Sequence, residues 1–134
     1  MAFHDLEAAT AHQVLAACGL DASYIRLAIK KPDFLPALRA IRDLGFIGTN
    51  VTIPHKFTAL DSVDEVSPAA RRLGAVNTIT FRPDGTAYGQ NSDGPGFVRT
   101  VREEFGADVK DLRILLLGAG WEAEPAAPRH GGVR

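Results

Sequence analysis

The sequence predicts an α/β fold, in which a mainly parallel sheet is flanked by helices and carries one antiparallel hairpin strand. Short runs of β-branched and apolar residues alternate along the chain with segments whose apolar residues recur at helical spacing. Such alternation is typical of sheets in which most strands run parallel. Two of the short runs are separated by Pro83-Asp84-Gly85, a strong turn signal that predicts the hairpin.

Five helices are predicted where apolar residues lie three and four positions apart. Gly19 and Gly45 directly follow the first two helices, as expected of C-terminal caps. Pro54 fits the first position of the third helix, where its missing N–H costs nothing. Ser67 or Asp64 lies near the start of the fourth. The predicted helices cover residues 8–18, 32–44, a short run from 54, 66–73 and 96–105.

Five strands are predicted from short runs of β-branched, aromatic and other apolar residues. Residues 23–29 alternate well enough for a strand, and residues 47–53 carry Ile47, Val51 and Ile53. The apolar run near the end of the chain has no alternation, which indicates a strand buried on both faces. The predicted strands cover residues 23–29, 47–53, 76–81, 86–88 and 111–117.

Composition argues against several classes of protein. Of the 134 residues, 46% are hydrophobic, which suffices for a compact domain, and 15 basic against 16 acidic side chains argue against a nucleic-acid or anionic-membrane partner. With no apolar stretch that could span a bilayer and no signal-peptide pattern, we expect a cytoplasmic protein. Cys18 is the single cysteine, so it forms no internal disulfide. We expect no metal site, because the four histidines lack ligand spacing: His4, His12, His55 and His130.

Lys56 is the most informative single position. It ends residues 50–56 (Asn-Val-Thr-Ile-Pro-His-Lys) and is predicted to lie in the first turn of a helix, near the positive end of the helix dipole. This field disfavours the ammonium, so the lysine needs an anionic neighbour or holds its proton more weakly. Either arrangement suits proton transfer. The competing interpretation is an ordinary exposed lysine.

Two further motifs favour the functional interpretation. Residues 74–79 are Gly-Ala-Val-Asn-Thr-Ile, and residues 89–97 are Gly-Gln-Asn-Ser-Asp-Gly-Pro-Gly-Phe. In this order and at this spacing, they and residues 50–56 resemble the substrate-binding half of the shikimate dehydrogenase family. That family reduces 3-dehydroshikimate to shikimate with NADPH, a step of aromatic amino acid biosynthesis. The resemblance covers about residues 4–120 and implies the fold of the family's N-terminal domain.

The resemblance also implies roles for individual residues. Lys56 and Asp93 match the catalytic pair that flanks the reacting hydroxyl, with Lys56 donating a proton as charge develops on the substrate oxygen. The matching substrate-binding positions are Asn50, Thr52, Asn77 and Ser92. Ser92 stands where the family usually has threonine, which keeps the hydroxyl.

Purely structural roles compete for some of these positions. Asn91 and Asp93 lie in a glycine-rich stretch where both residue types commonly stabilise turns. Asn77 could satisfy a neighbouring backbone group, and Thr52 could simply be a β-branched strand residue.

The N-terminal region departs from the family pattern. The family begins with a strand and a Ser-x-Ser pair that binds the substrate carboxylate, whereas the matching positions here are Asp5 and Glu7. Two acidic side chains beside a carboxylate would repel it. They would equally be favourable near a helix N-terminus without any ligand.

The C-terminal region is expected to begin a cofactor domain. Gly118 and Gly120 resemble the opening of a dinucleotide-binding turn for NADP, but Pro125 and Pro128 would interrupt the helix that should follow. We expect the tail to be truncated or out-of-frame sequence. The predicted domains are a substrate-binding domain, residues 1–106, the start of an NADP-binding domain, residues 107–120, and an aberrant tail, residues 121–134.

The resemblance implies a small-molecule substrate, shikimate or 3-dehydroshikimate, and allows a homodimer. The chain is expected to be a fragment that is inactive alone. Two alternatives stay open: a fragment of a quinate- or aminoshikimate-type dehydrogenase, and a non-catalytic binding module.

Overall fold

A computed structural model describes the backbone of residues 3–115 and the side chains of residues 10–115. The chain divides into two compact units, residues 1–30 and residues 31–134. Among the described residues, none of the helices is both long and apolar enough to cross a membrane.

The first unit contains helix α1, Phe3–Ala17, which begins earlier than predicted. Gly19 ends it with a left-handed backbone (φ 68°), and Leu20 N donates to Leu15 O at 3.0 Å. This pattern is the Schellman motif expected of a C-terminal glycine. The strand predicted at residues 23–29 is wrong, since these residues form neither a helix nor a ladder with any described strand. Alternating apolar residues predict which side chains would share one face of a strand, but a strand forms only where a second strand pairs with it.

Up to residue 115, the second unit contains four α-helices. In helix α2 the predicted spacing is confirmed, because Phe34, Leu38 and Ile41 are buried on one face and Gly45 ends the helix with φ 81°. The α-helices are α2, Phe34–Asp43; α3, Lys56–Leu60; α4, Pro68–Leu73; and α5, Asp93–Phe105. Two short 3-10 helices cover Lys31–Asp33 and Val109–Asp111.

The described residues of the second unit form a sheet of four strands in the order β1-β3-β4-β2. They are β1, Gly48–Asn50; β2, Glu65–Val66; β3, Thr78–Phe81; and β4, Ala87–Gln90. The pairs β1–β3 and β3–β4 are antiparallel, and β2–β4 is parallel. The predicted α/β class and the antiparallel hairpin are confirmed. The expected mainly parallel sheet is replaced by a mixed one, because β1 joins the hairpin through an antiparallel pairing.

The hairpin turn forms where Pro83-Asp84-Gly85 predicted it. Gly85 has φ 85°, which glycine adopts without strain. The Asp84 carboxylate accepts hydrogen bonds from the hydroxyl of Thr86 at 2.7 Å and from its backbone N–H at 2.9 Å. These two bonds lower the pKa of Asp84 below its usual value, with the hydroxyl contributing most.

We expect Asp84→Ala to destabilise the chain near neutral pH but not in acid. Because the pKa is lowered in the folded state, the carboxylate stabilises fully above its unfolded pKa of about 4 and loses this effect as pH falls through the folded value. Urea denaturation midpoints of the wild type and the variant should differ at pH 7 and converge as the pH falls below the lowered, folded-state pKa of Asp84. Asp33→Ala is a matched control, because Asp33 makes no side-chain capping hydrogen bond to α2. A difference that persists unchanged into acid would contradict this account.

The core of the second unit is formed by buried residues of the hairpin strands and of helices α3 and α4. Val76 and Ile79 are fully buried, as are Ala59 of α3 and Ala70 of α4. Gly89 of β4 lies against Val76 so closely that an added Cβ would come within 2.9 Å of its Cγ2. Helix α4 packs against β4, and the buried Ala59 adds α3 to the same core.

Three predicted elements differ in the structure. Strand β1 is shorter than residues 47–53, and Pro54, with a cis peptide bond to Ile53, precedes α3 rather than beginning it. Helix α4 starts at Pro68, where Ser67 caps it by accepting from Ala70 N at 3.2 Å. Residues 111–115 are exposed and form no strand, while residues 116–117 lie outside the described residues. Apolar character there predicted burial, but none of the described strands pairs with this run.

Candidate functional site

Lys56 and Asp93 form an ion pair at the starts of two helices. Lys56 is the first residue of α3 and Asp93 the first residue of α5, and Lys56 Nζ donates to Asp93 Oδ2 at 2.9 Å. The side chain of Lys56 is 18% exposed and that of Asp93 is 57% exposed. The anionic neighbour expected for Lys56 is therefore Asp93, and the carboxylate remains accessible to a small molecule.

Backbone contacts hold Lys56 in place. Its carbonyl oxygen accepts a hydrogen bond from Val76 N at 3.0 Å, which ties the start of α3 to the segment leading into β3. The preceding residue, His55, is buried and stacks on Phe34, with ring centroids 4.8 Å apart. His55 thus anchors the turn that presents Lys56.

Asn77 lies at the centre of the cluster and is 8% exposed. Its Nδ2 donates to Asp93 Oδ1 at 2.8 Å and to Ser92 Oγ at 3.0 Å. Its Oδ1 accepts from Ser92 N at 3.0 Å and from Thr78 Oγ1 at 2.9 Å. Ser92 Oγ also lies 3.3 Å from Oδ1. An amide has two donor hydrogens and two acceptor lone pairs, so the four shorter contacts already use its full capacity.

The backbone of Asn77 is equally constrained. Its N–H donates to Gln90 O at 3.0 Å, and its carbonyl oxygen accepts from Val51 N at 2.8 Å. Asn77 therefore sits between the ends of β4 and β1, which fixes its position relative to the sheet. The interpretation that Asn77 satisfies a neighbouring backbone group is confirmed for Ser92 N, but the amide also bonds the side chain of Asp93.

Asn91 has the structural role that competed for it. Its Nδ2 donates to Ala75 O at 3.0 Å, and its Oδ1 accepts from Asp93 N at 2.9 Å. Asn91 is buried, so these bonds satisfy its polar atoms and set the direction in which α5 starts. Asn91 therefore supports the backbone of Asp93.

The remaining predicted residues lie around this cluster. Asn50 is exposed, and its Nδ2 donates to Thr78 Oγ1 at 3.4 Å. Thr52 is exposed on the turn before α3, where its carbonyl oxygen accepts from His55 N at 2.9 Å. Gly118 and Gly120, predicted to contact the cofactor, lie outside the described residues, so no cofactor contact is assigned.

Thr78 is the member of the cluster that sequence reasoning missed. It is the first residue of β3, pairs with Asn50 and Gln90, and connects Asn50 to Asn77 through its hydroxyl. The available signal was its position directly after Asn77 in the motif of residues 74–79. A threonine in a strand needs no functional reason, so the signal was weak.

The arrangement suits binding of a small molecule that carries hydroxyl or carbonyl groups. The ammonium of Lys56 can donate to an oxygen that gains negative charge, and the carboxylate of Asp93 can accept from a hydroxyl. Fold and cluster together define an α/β ligand-binding domain with a lysine–aspartate pair suited to proton transfer.

The family model of the shikimate dehydrogenase substrate binding domain matches residues 4–79, more than half of the chain. The chain belongs to this family.

Individual relatives agree with this assignment. The NADP(+) shikimate dehydrogenase of a Geobacillus strain is 54% identical over 87 residues, which are 65% of this chain and 31% of the relative. A Thermus thermophilus shikimate 5-dehydrogenase, solved in complex with NADP(H) and shikimate, superposes with a TM-score of 0.70 at 35% identity and covers 76% of this chain and 38% of its own. The 5-ketofructose reductase of a Gluconobacter strain has a TM-score of 0.67 at 32% identity, covering 72% of this chain and 34% of its own.

The chain is much shorter than its relatives. It spans between 31% and 45% of the length of the first three curated shikimate dehydrogenases that it matches. The similarity therefore concerns the substrate-binding part of these enzymes.

Proposed function

We propose that the chain is the substrate-binding domain of an NADP-dependent shikimate dehydrogenase, which reduces 3-dehydroshikimate to shikimate. The observation that carries the proposal is the 2.9 Å contact between Lys56 Nζ and Asp93 Oδ2, held in place by Asn77. The names of the relatives support the substrate and the cofactor. A cytoplasmic location and a homodimer belong to the proposal as expectations.

Lys56 is the proton donor in this proposal. When bound, NADPH would supply the hydride that reaches the carbonyl carbon. The ammonium of Lys56 donates a hydrogen bond to the carbonyl oxygen as that oxygen gains charge, and then transfers its proton to complete the hydroxyl. Asp93 holds the ammonium in position and accepts a hydrogen bond from a hydroxyl of the substrate.

Binding and orientation are assigned to the polar side chains around the pair. Asn50, Thr52, Asn77 and Ser92 are proposed to surround the substrate hydroxyls. For Asn77, direct binding requires that the ligand displace one of the four hydrogen bonds of its amide. The NADP site is assigned to the second domain that begins after residue 106, with Gly118 and Gly120 as its first contacts.

A hybrid protein tests the proposal. Residues 4–115 would replace the corresponding part of the Geobacillus relative, which supplies the rest of the enzyme. The hybrid should oxidise NADPH in the presence of 3-dehydroshikimate. If the hybrid is folded and binds NADPH, as judged by a rise in melting temperature, yet shows no turnover, the proposed function is wrong.

A second candidate is a dehydrogenase for an uncharged keto-sugar or polyol, with the quinate and aminoshikimate types as charged variants. It is favoured by the likeness to the Gluconobacter 5-ketofructose reductase. It is also favoured by Asp5 and Glu7, which stand where the shikimate dehydrogenase family has the Ser-x-Ser pair that binds the substrate carboxylate. Turnover of the hybrid with 3-dehydroshikimate, 3-dehydroquinate and 5-ketofructose separates the candidates. Replacing Asp5 and Glu7 with serine should lower the KM for the acids alone if these positions face the ligand.

A further inference from the structure

Thr78 occupies a position from which it can control the orientation of Asn77. Its hydroxyl donates to Asn77 Oδ1 at 2.9 Å and accepts from Asn50 Nδ2 at 3.4 Å. The residue is half-buried and is paired on both sides within the sheet, with Asn50 of β1 and Gln90 of β4. Its backbone is therefore held rigidly between two neighbouring strands.

We propose that Thr78 is a positioning residue for Asp93, acting through the amide of Asn77. By donating to Oδ1, the hydroxyl of Thr78 helps to keep Nδ2 directed at Asp93 Oδ1, which leaves Asp93 Oδ2 for Lys56. The inference deepens the proposed function and rests on it for its catalytic meaning. The hydrogen bonds from Thr78 to Asn77 and from Asn77 to Asp93 involve only residues of this chain.

The direction of each hydrogen bond supports this role. The amide nitrogen of Asn50 is a donor only, so it occupies an acceptor lone pair of the Thr78 hydroxyl and leaves the hydroxyl proton for Asn77 Oδ1. The carboxylate of Asp93 is an acceptor only, so it requires the nitrogen end of the Asn77 amide. A flipped Asn77 would place its oxygen against the carboxylate of Asp93 and its nitrogen against the donating N–H of Ser92.

Loss of the Thr78 hydroxyl removes one of the donors that hold Oδ1. Ser92 N at 3.0 Å and Ser92 Oγ at 3.3 Å would remain as donors to Oδ1, so the amide should stay in place but rotate more readily. The hydrogen on Nδ2 that bonds Asp93 would then exchange faster with water. Thr78→Val replaces the hydroxyl with a methyl group and keeps the branched shape of the side chain, so it removes the hydrogen bonds of the hydroxyl without opening a cavity.

The test uses the ¹⁵N-labelled 134-residue chain without ligand. Hydrogen exchange at the Asn77 side-chain amide would be measured by NMR in the wild type, Thr78→Val, Thr78→Ser and Thr80→Val. We expect exchange to accelerate at least about fivefold in Thr78→Val, an effect near 1 kcal/mol and typical of one hydrogen bond. Thr78→Ser should retain the wild-type rate. Thr80→Val, at an exposed position of the same strand, should also leave the rate unchanged.

Asn50→Ala gives a second test at an exposed position where folding is not at stake. It removes the donor that directs the Thr78 proton, so exchange should accelerate in the same direction but less. Wild-type exchange in both Thr78→Val and Asn50→Ala would overturn the proposal, as would equal acceleration in Thr78→Val and Thr80→Val. Shikimate would also be added to the wild-type chain. If no saturable NMR chemical-shift change followed, the proposed function would be contradicted, whereas the positioning role of Thr78 would be unaffected.

Discussion

Lys56→Ala is expected to lower the turnover of the hybrid enzyme by roughly two to four orders of magnitude, the range of a positioned acid or base. The KM should change much less, because the contact of Lys56 with the substrate oxygen strengthens as charge develops in the transition state. The 2.9 Å ion pair holds the ammonium of Lys56 beside Asp93, whose carboxylate is accessible to a small molecule. Loss of Lys56 therefore removes a donor at the place where the substrate is proposed to bind. Steady-state kinetics with 3-dehydroshikimate at saturating NADPH measures both constants.

The matched control is Lys110→Ala. Lys110 is exposed in the 3-10 helix after α5 and contacts Asp108, so its loss should leave turnover unchanged. A Lys56→Ala variant that raised the KM with an unchanged kcat would make Lys56 a binding residue and would contradict its role as proton donor.

Gly48→Ala is expected to lower the free energy of unfolding by about 1–3 kcal/mol, the range for added atoms in a packed site. A Cβ at this position would lie 2.5 Å from the backbone oxygen of Ile79, so the pairing between β1 and β3 would have to shift. The obstacle is a backbone atom, which cannot rotate away as a side chain would. Thermal unfolding by circular dichroism should show a midpoint reduced by roughly 4–12 °C.

Gly96→Ala is the control for this substitution. Gly96 lies inside α5, and an added Cβ there meets nothing within 4 Å. Alanine should therefore stabilise the helix by up to about 1 kcal/mol. If Gly48→Ala and Gly96→Ala changed the midpoint equally, close packing between β1 and β3 would not explain the need for glycine at position 48.

Sequence patterns predicted well those features that depend on local chemistry. Apolar spacing placed Phe34, Leu38 and Ile41 on the buried face of α2, and glycine after α1 and α2 marked both C-terminal caps. Motif order predicted that the segments holding Lys56 and Asp93 would meet, and the 2.9 Å contact agrees with it. These features need only a periodic pattern, a special backbone angle or a familiar motif.

Features that depend on distant partners were predicted poorly. Residues 23–29 and 111–115 have the composition of strands, but a strand exists only where another strand supplies the ladder. The mixed sheet follows from the pairing of β1 with β3, which no local pattern specifies. Thr78 was missed because a threonine in a strand is ordinary, and the hydroxyl contacts that single it out, with the adjacent Asn77 and with Asn50 28 positions away, follow no local pattern.

The central claim is that Lys56, Asn77 and Asp93 form a binding site for a hydroxylated ring acid. The most direct test is NMR titration of the labelled 134-residue chain with shikimate. We expect saturable shifts at the Asn77 side-chain amide and the backbone N–H groups of Lys56 and Asp93, and their loss in Asp93→Ala. Shifts confined to the groove between α4 and α5, where Arg72, Arg99 and Arg102 could attract any carboxylate, would contradict the claim, as would no saturable shift at all.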